Sequence, residues 1–194
     1  LRESHRYGDP RVQDAYALRC VPQVHGPALE TLEFAQTIIE RELNAATDNP
    51  LVIASGELLS GGNFHGQAVG MVSDFLAIVS ANLAVISERR TDRLVHPDFN
   101  QGLPPFLAGS PGLESGFMMS QVTAAALASE NKTLAHPASV DSIPTDGNKE
   151  DVVPMAMAAA VKLRRSVRNL RHVLSIELIA AAEGLEHRRP LRSS

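Results

Sequence analysis

At 194 residues and 44% hydrophobic composition, the chain is long enough to bury one sizeable core and reads as a single region. Eighteen Lys and Arg against 22 Asp and Glu leave a formal charge of -4, which argues against a general nucleic-acid surface, and the lone Cys20 excludes an internal disulfide framework. No leader is visible before Arg2, Glu3 and His5, and Asp74, Ser80, Asn82 and Ser87 interrupt the apolar run around Phe75 to Ile86, so the expected setting is a reducing cytoplasm with no membrane span.

Gly8, Pro10, Pro22 and Gly26 predict an irregular entrance with one short helical piece at Gln13-Asp-Ala-Tyr-Ala-Leu-Arg19. In a helical turn Gln13, Tyr16 and Arg19 recur at three-residue spacing and can face one space. Pro27 is expected to begin the next helix, whose apolar face is Leu29, Leu32, Ala35, Ile38, Ile39 and Leu43. Asp48-Asn-Pro50 ends it, and Leu51–Ile53 with Leu58–Leu59 predict a small hairpin around Ser55-Gly56. Ser60-Gly-Gly-Asn-Phe-His65 follows as a flexible turn.

From Gly66 to about Arg90, the positions Val69, Val72, Leu76, Val79, Leu83 and Ile86 predict a long bundle helix, about 37 Å at 1.5 Å per residue. Arg89, Arg90 and Arg93 are read as facing water or the helix dipole. His96 to Gly112 is mostly loop, and helix is expected to resume near Leu113 and run to Leu134 as a central bundle helix. Its main stripe is Phe117, Ala124, Leu127, Ala128 and Leu134, with a second stripe of Met118, Val122 and Ala125. Pro137 and Pro144 stop regular structure, and Asp146, Gly147 and Asn148 can turn and cap the chain before the last helix. That helix is expected from Asp151 to about Leu185, with Pro154 in its first turn and Met155, Ala159, Leu163, Val167, Leu170, Leu174 and Leu178 packed. The segment 188–194 is expected to be loop. The fold class is mainly α: a long-helix bundle with a small hairpin.

The chemistry-bearing residues have ordinary readings too. Seven dispersed histidines, from His5 to His187, suggest polar structural roles and no metal site, and Gly61-Gly62 lacks the Lys and Ser or Thr of a phosphate loop. Asp141 and Glu150 flank a polar loop where a general acid or base is chemically possible, although a solvated or capping carboxylate is the commoner case. Phe64 is either core packing or the wall of an aromatic pocket.

Five separated motifs in order shift the balance between these readings: Gln13 to Gly26, Asp48-Asn-Pro-Leu51, Ser60 to His65, Leu103-Pro-Pro-Phe106 and Gln121 to Asp151. Together they resemble the carboxy-terminal half of the histidine ammonia-lyase family, over nearly the whole chain. The resemblance implies a large helical homotetramer with active sites shared among subunits. It also implies elimination of ammonia from L-histidine to give urocanate, with a methylidene-imidazolone electrophile formed autocatalytically from an internal Ala-Ser-Gly triad. It places Gln13 in the pocket, Tyr16 as a phenol that assists positioning or proton transfer, and Arg19 as the carboxylate clamp. Phe64 becomes an aromatic wall near the electrophile, and Glu150 a group near the imidazole or the reacting proton.

Glu150 favours the histidine branch over phenylalanine members, in which that position resembles glutamine. The chain has Glu150-Asp-Val-Val153 where the family commonly resembles Glu-Asp-His-Val, so Val152 removes a possible polar contact. The alternatives are a related phenylalanine or tyrosine ammonia-lyase or aminomutase, or a noncatalytic helical assembly domain. Ala54-Ser55-Gly56 has the residue types of the electrophile triad but lies in the expected hairpin and is read as an ordinary turn. Residues 1–194 are therefore expected to be a partial carboxy-terminal helical region, inactive alone, with the triad outside it.

Overall fold

A computed structural model describes residues 7–190; the expectations for residues 1–6 and 191–194 lie outside it. Among the described residues the chain forms α1 (Tyr16–Arg19), α2 (Val21–Leu43), β1 (Leu51–Val52), β2 (Leu58–Leu59), α3 (Gln67–Val95), α4 (Met118–Leu134) and α5 (Ala156–Glu186), with 3-10 turns at Pro105–Leu107 and Asp146–Asn148. The structure bears out the expected helical bundle and hairpin. The two strands pair antiparallel with Leu51 opposite Leu59 and Val52 opposite Leu58.

The central element is α3, which touches α1, α2, α4 and α5. Its 29 residues span about 43 Å at 1.5 Å per residue. Helix α5 runs parallel to it: Ala156 lies against Gly70 at one end, and Gly184 against Leu94 at the other. Helix α4 runs antiparallel to both, since Gln121 near its start reaches Glu88 and Asn131 near its end reaches Ser166. The ring of Phe34 on α2 lies 6.3 Å from that of Phe75 on α3.

These helices approach through small residues. Ala84, Ala124, Ala128 and Val173 make one buried cluster; Val95, Leu107 and Ala180 make a second, against Leu94, Leu103, Phe106 and Phe117. A Cβ on Gly70 would lie 3.2 Å from the Ala156 Cα, so the α3–α5 approach depends on hydrogen at that position. Buried polar groups cross-link α4 to α5. Asn131 Nδ2 donates to the Ser166 carbonyl at 3.1 Å, and Asn169 Nδ2 donates to Asn131 Oδ1 at 3.1 Å.

The large apolar side chains mostly point elsewhere. Leu29, Leu32 and Phe34 on α2 are at least half exposed, and Met157, Val161, Leu178 and Ile179 on α5 are exposed as well. The expected packed face of α5 is accordingly rotated, because Ala159, Ser166, Val173 and Ala180 recur every seven residues on the buried side while Val167, Leu174 and Leu178 lie outside it. On α4 the second stripe is also uncovered at Met118 and Val122. By length and composition α3 could cross a membrane, which the interrupted run had not suggested, but half of its most apolar window is buried within the bundle.

Several boundaries differ from expectation for local reasons. Helix α2 starts at Val21, with Pro22 in its first turn, where a missing N–H costs nothing, and carries Pro27 inside it. Helix α4 starts at Met118, because Gly116 takes φ +49° and the Phe117 N–H donates to the Phe106 carbonyl at 2.8 Å. Helix α5 starts at Ala156, leaving Pro154 before it, and its first turn has no side-chain cap. The arginines at the end of α3 are engaged and not simply solvated. Arg90 pairs with Glu177, Arg89 with Glu88 and Asp92, and the Arg93 guanidinium stands 5.6 Å from the Phe99 ring centre. Hydrogen bonds donated to the Glu88 carboxylate hold the Arg89 guanidinium pKa above its ordinary value.

Candidate functional site

The five singled-out residues fall into two groups at opposite ends of α3. Phe64 and Glu150 line one cavity of about 440 Å³ at its amino-terminal end, with His65, Lys149, Val152 and Pro154 completing the wall. The hairpin and the turn before α3 build one side: Asn49 Oδ1 accepts from the Ser60 hydroxyl at 3.2 Å and the Gly61 N–H at 3.0 Å, and Asn63 donates to the Ala46 carbonyl at 2.9 Å. These bonds hold the turn that carries Phe64, whose ring is exposed and is not packed in the core of this chain.

The loop from Ala135 to Met155 builds the other side and is fastened to α3. The buried Asp74 carboxylate accepts the Ser139 N–H at 2.7 Å, and Gln67 donates to the Ser139 carbonyl at 3.0 Å. Farther along, the Val153 N–H donates to Ser142 Oγ at 2.8 Å, and His65 Nε2 donates to the Val152 carbonyl at 2.8 Å. Between these ties Asp146, Gly147 and Asn148 have φ of +47°, +61° and +65°, a left-handed turn that returns the chain so that the Thr145 N–H meets the Glu150 carbonyl at 3.0 Å. The Thr145 hydroxyl donates to Glu150 Oε2. Among the described residues Oε1 has no partner, so the carboxylate keeps one acceptor for a ligand. The Asp141 side chain is exposed outside this cavity.

Gln13, Tyr16 and Arg19 stand at the other end. Leu18 of α1 shares a cavity of about 270 Å³ with Arg90, Arg93 and Leu94 from the last turns of α3. Tyr16 and Arg19 lie in one helical turn, whereas Gln13 precedes it in a bend, so the helical spacing applies to two of the three. All three are exposed. The rise of α3 from Gln67 to Arg90 is about 35 Å, so within one chain no substrate the size of an amino acid reaches both groups. Sequence reasoning missed His65 and Lys149 as cavity residues and Thr145 as the hydrogen-bond partner of Glu150; the Asp-Gly-Asn turn between Thr145 and Glu150 was the available signal that the two would face each other.

Ala54-Ser55-Gly56 is exposed in the hairpin turn, and the Gly56 N–H donates to the Ile53 carbonyl at 2.8 Å. The amide nitrogen needed for cyclisation is thus engaged in an ordinary turn, and this triad does not fit an electrophile. Among the described residues no three His, Cys, Asp or Glu are grouped as metal ligands.

The chain is a bundle of long helices with a polar loop fastened across its end, and it belongs to the aromatic amino acid lyase family, whose model matches residues 1–194. Within that family it is similar to histidine ammonia-lyases. It is 54% identical to that of Koribacter versatilis over 207 aligned residues, covering 100% of this chain and 40% of the relative, and 57% identical to that of Geobacillus thermodenitrificans over 183, covering 94% and 36%. The crystal structure of histidine ammonia-lyase from Trypanosoma cruzi superposes with a TM-score of 0.89 at 48% identity, covering 94% of this chain and 36% of that one. The chain thus spans less than half the length of the relatives it matches.

Proposed function

We propose that the full-length protein containing this chain eliminates ammonia from L-histidine to give urocanate. The observation that carries the reading is the cavity in which Glu150 offers a free carboxylate oxygen beside the exposed Phe64 ring. A carboxylate can orient the imidazole N–H of histidine or accept a proton, a choice of group that a neutral aromatic substrate does not require. Identity of 54% and 57% to histidine ammonia-lyases supports the same substrate.

Arg19 would clamp the substrate carboxylate with its planar donor fork, Tyr16 would position the reacting end or move a proton there, and Gln13 would line the same pocket. The methylidene-imidazolone characteristic of the family would supply the electrophile that activates the amino acid for loss of ammonia, and Phe64 would wall the space around it. Its Ala-Ser-Gly triad is proposed to lie elsewhere in the longer polypeptide, so that residues 1–194 are a carboxy-terminal helical region that makes no urocanate alone.

Because Glu150 and Arg19 lie at opposite ends of α3, one site containing both needs more than one copy of the chain, which supports a homotetramer with shared sites. The exposed apolar faces of α2 and α5 are consistent with that assembly. A cytoplasmic setting is the compartment proposed for it.

Incubating the full-length protein with L-histidine, L-phenylalanine and L-tyrosine tests the reading. Urocanate is the expected product. A β-amino acid would instead support mutase chemistry, and absence of all turnover would leave an assembly role.

A further inference from the structure

We infer that Thr145 is a positioning residue that holds the Glu150 carboxylate in the orientation the substrate meets. The inference rests on the proposed role of Glu150 and goes beyond it, because it assigns the group that sets the direction of that carboxylate. Glu150 is exposed on a loop, and a glutamate there would ordinarily sample several rotamers about three torsions. Two features restrict it. The backbone is closed into a short antiparallel bridge between Thr145 and Glu150 across the left-handed turn at 146–148, and the Thr145 hydroxyl occupies Oε2. The bridge fixes where the Glu150 side chain begins; the hydroxyl fixes how it ends, and Oε1 is left as the free acceptor.

Three consecutive residues with positive φ, two of them not glycine, persist only where their surroundings over-determine them. Here the ties at Ser142–Val153 and His65–Val152 flank the turn on the chain and hold its base against the start of α3. The loop therefore invests backbone strain in presenting one carboxylate, and the hydroxyl is the side-chain part of that arrangement. Its influence grows when a bound substrate excludes water from the cavity, since a hydrogen bond to a carboxylate strengthens in a less polar surrounding.

The experiment uses the full-length protein and compares Thr145→Val, Thr145→Ser, Glu150→Ala and the double variant Thr145→Val/Glu150→Ala. Valine keeps the β-branched shape and the backbone N–H while removing the hydroxyl donor; serine keeps the donor. With kcat and KM for L-histidine measured on assembled protein, the expected result is a loss of about tenfold in kcat/KM for Thr145→Val and recovery to within about threefold for Thr145→Ser. In the Glu150→Ala background Thr145→Val should cost less than about twofold more, because its acceptor is gone. If Thr145→Val does not assemble, Thr145→Ala replaces it under the same criteria. Wild-type kcat/KM in Thr145→Val beside an impaired Glu150→Ala overturns the inference and leaves the role of Glu150 intact, as do fully additive losses in the double variant or a serine variant as impaired as valine. Unimpaired histidine turnover by Glu150→Ala removes the role of Glu150 itself, and the inference with it.

Discussion

Arg90 on α3 and Glu177 on α5 form a two-pronged ion pair: Arg90 Nη2 donates to Glu177 Oε2 at 2.9 Å and Nε donates to Oε1. Oε2 also accepts the Ser87 hydroxyl at 2.5 Å. The pair bridges the two parallel helices near the end where α1 packs, and both side chains are about four-fifths buried.

Removing one partner leaves the other charged and largely desolvated. Glu177→Ala is therefore expected to destabilise the protein by about 2 kcal/mol, below the cost of breaking a fully buried pair because water still reaches both groups. Glu177→Gln, which still accepts hydrogen bonds, should cost less. Denaturant midpoints of the two variants check the order, and an Ala variant as stable as wild type would show the pair to be dispensable.

A backbone contact sets the second prediction. A Cβ on Gly116 would clash with the Phe106 carbonyl oxygen, and the residue already has φ +49°. Gly116→Ala should cost about 3 kcal/mol, combining left-handed strain with displacement of the turn that starts α4. Gly112→Ala is the control, since φ is +92° but its Cβ would meet open space; its smaller loss should reflect conformation alone. Equal stability losses would argue against the steric part.

How much of this was legible in sequence follows from what periodicity measures. The hairpin at Leu51 and Leu59 was readable because turn residues separate two short apolar runs, and the long helices because their apolar spacing is sustained. The face of α5 was not. Counting Leu174 and Leu178 as core assumes that a chain buries its largest residues against itself, yet α3, α4 and α5 meet through Ala84, Ala128, Ser166 and Ala180 and leave those leucines outside. Pairwise facts such as Asp74 holding Ser139 carry no periodic signal, since they depend on residues 65 positions apart. The candidate site residues were singled out only through the family motifs: Phe64 and Glu150 are brought together in one cavity, Arg19 and Glu150 are not.

The third prediction concerns Ser55. Its backbone belongs to an exposed hairpin turn, with Gly56 N–H hydrogen-bonded to the Ile53 carbonyl, so Ser55→Ala in the full-length protein should leave histidine turnover within about twofold of wild type. Intact mass should show the dehydrated electrophile retained. Loss of both turnover and that mass difference would make this triad the source of the electrophile and overturn the assignment to another part of the polypeptide.

The last prediction uses the separation of the two candidate groups along α3. Arg19→Ala and Glu150→Ala should each reduce histidine turnover severely, since one removes the carboxylate clamp and the other the group proposed to meet the imidazole. If a site takes Arg19 from one copy and Glu150 from another, co-expressing the two variants creates some sites that draw an intact Arg19 from the Glu150→Ala chain and an intact Glu150 from the Arg19→Ala chain. Random mixing makes these about a quarter of all sites, so the mixed assembly should recover about a quarter of wild-type turnover. Light scattering would confirm that the mixed protein forms the same assembly as wild type. Turnover of the mixture equal to the average of the two single variants would mean that both residues act within one copy, which the length of α3 forbids for a shared substrate, and the assignment of Arg19 or Glu150 to the site would then fall.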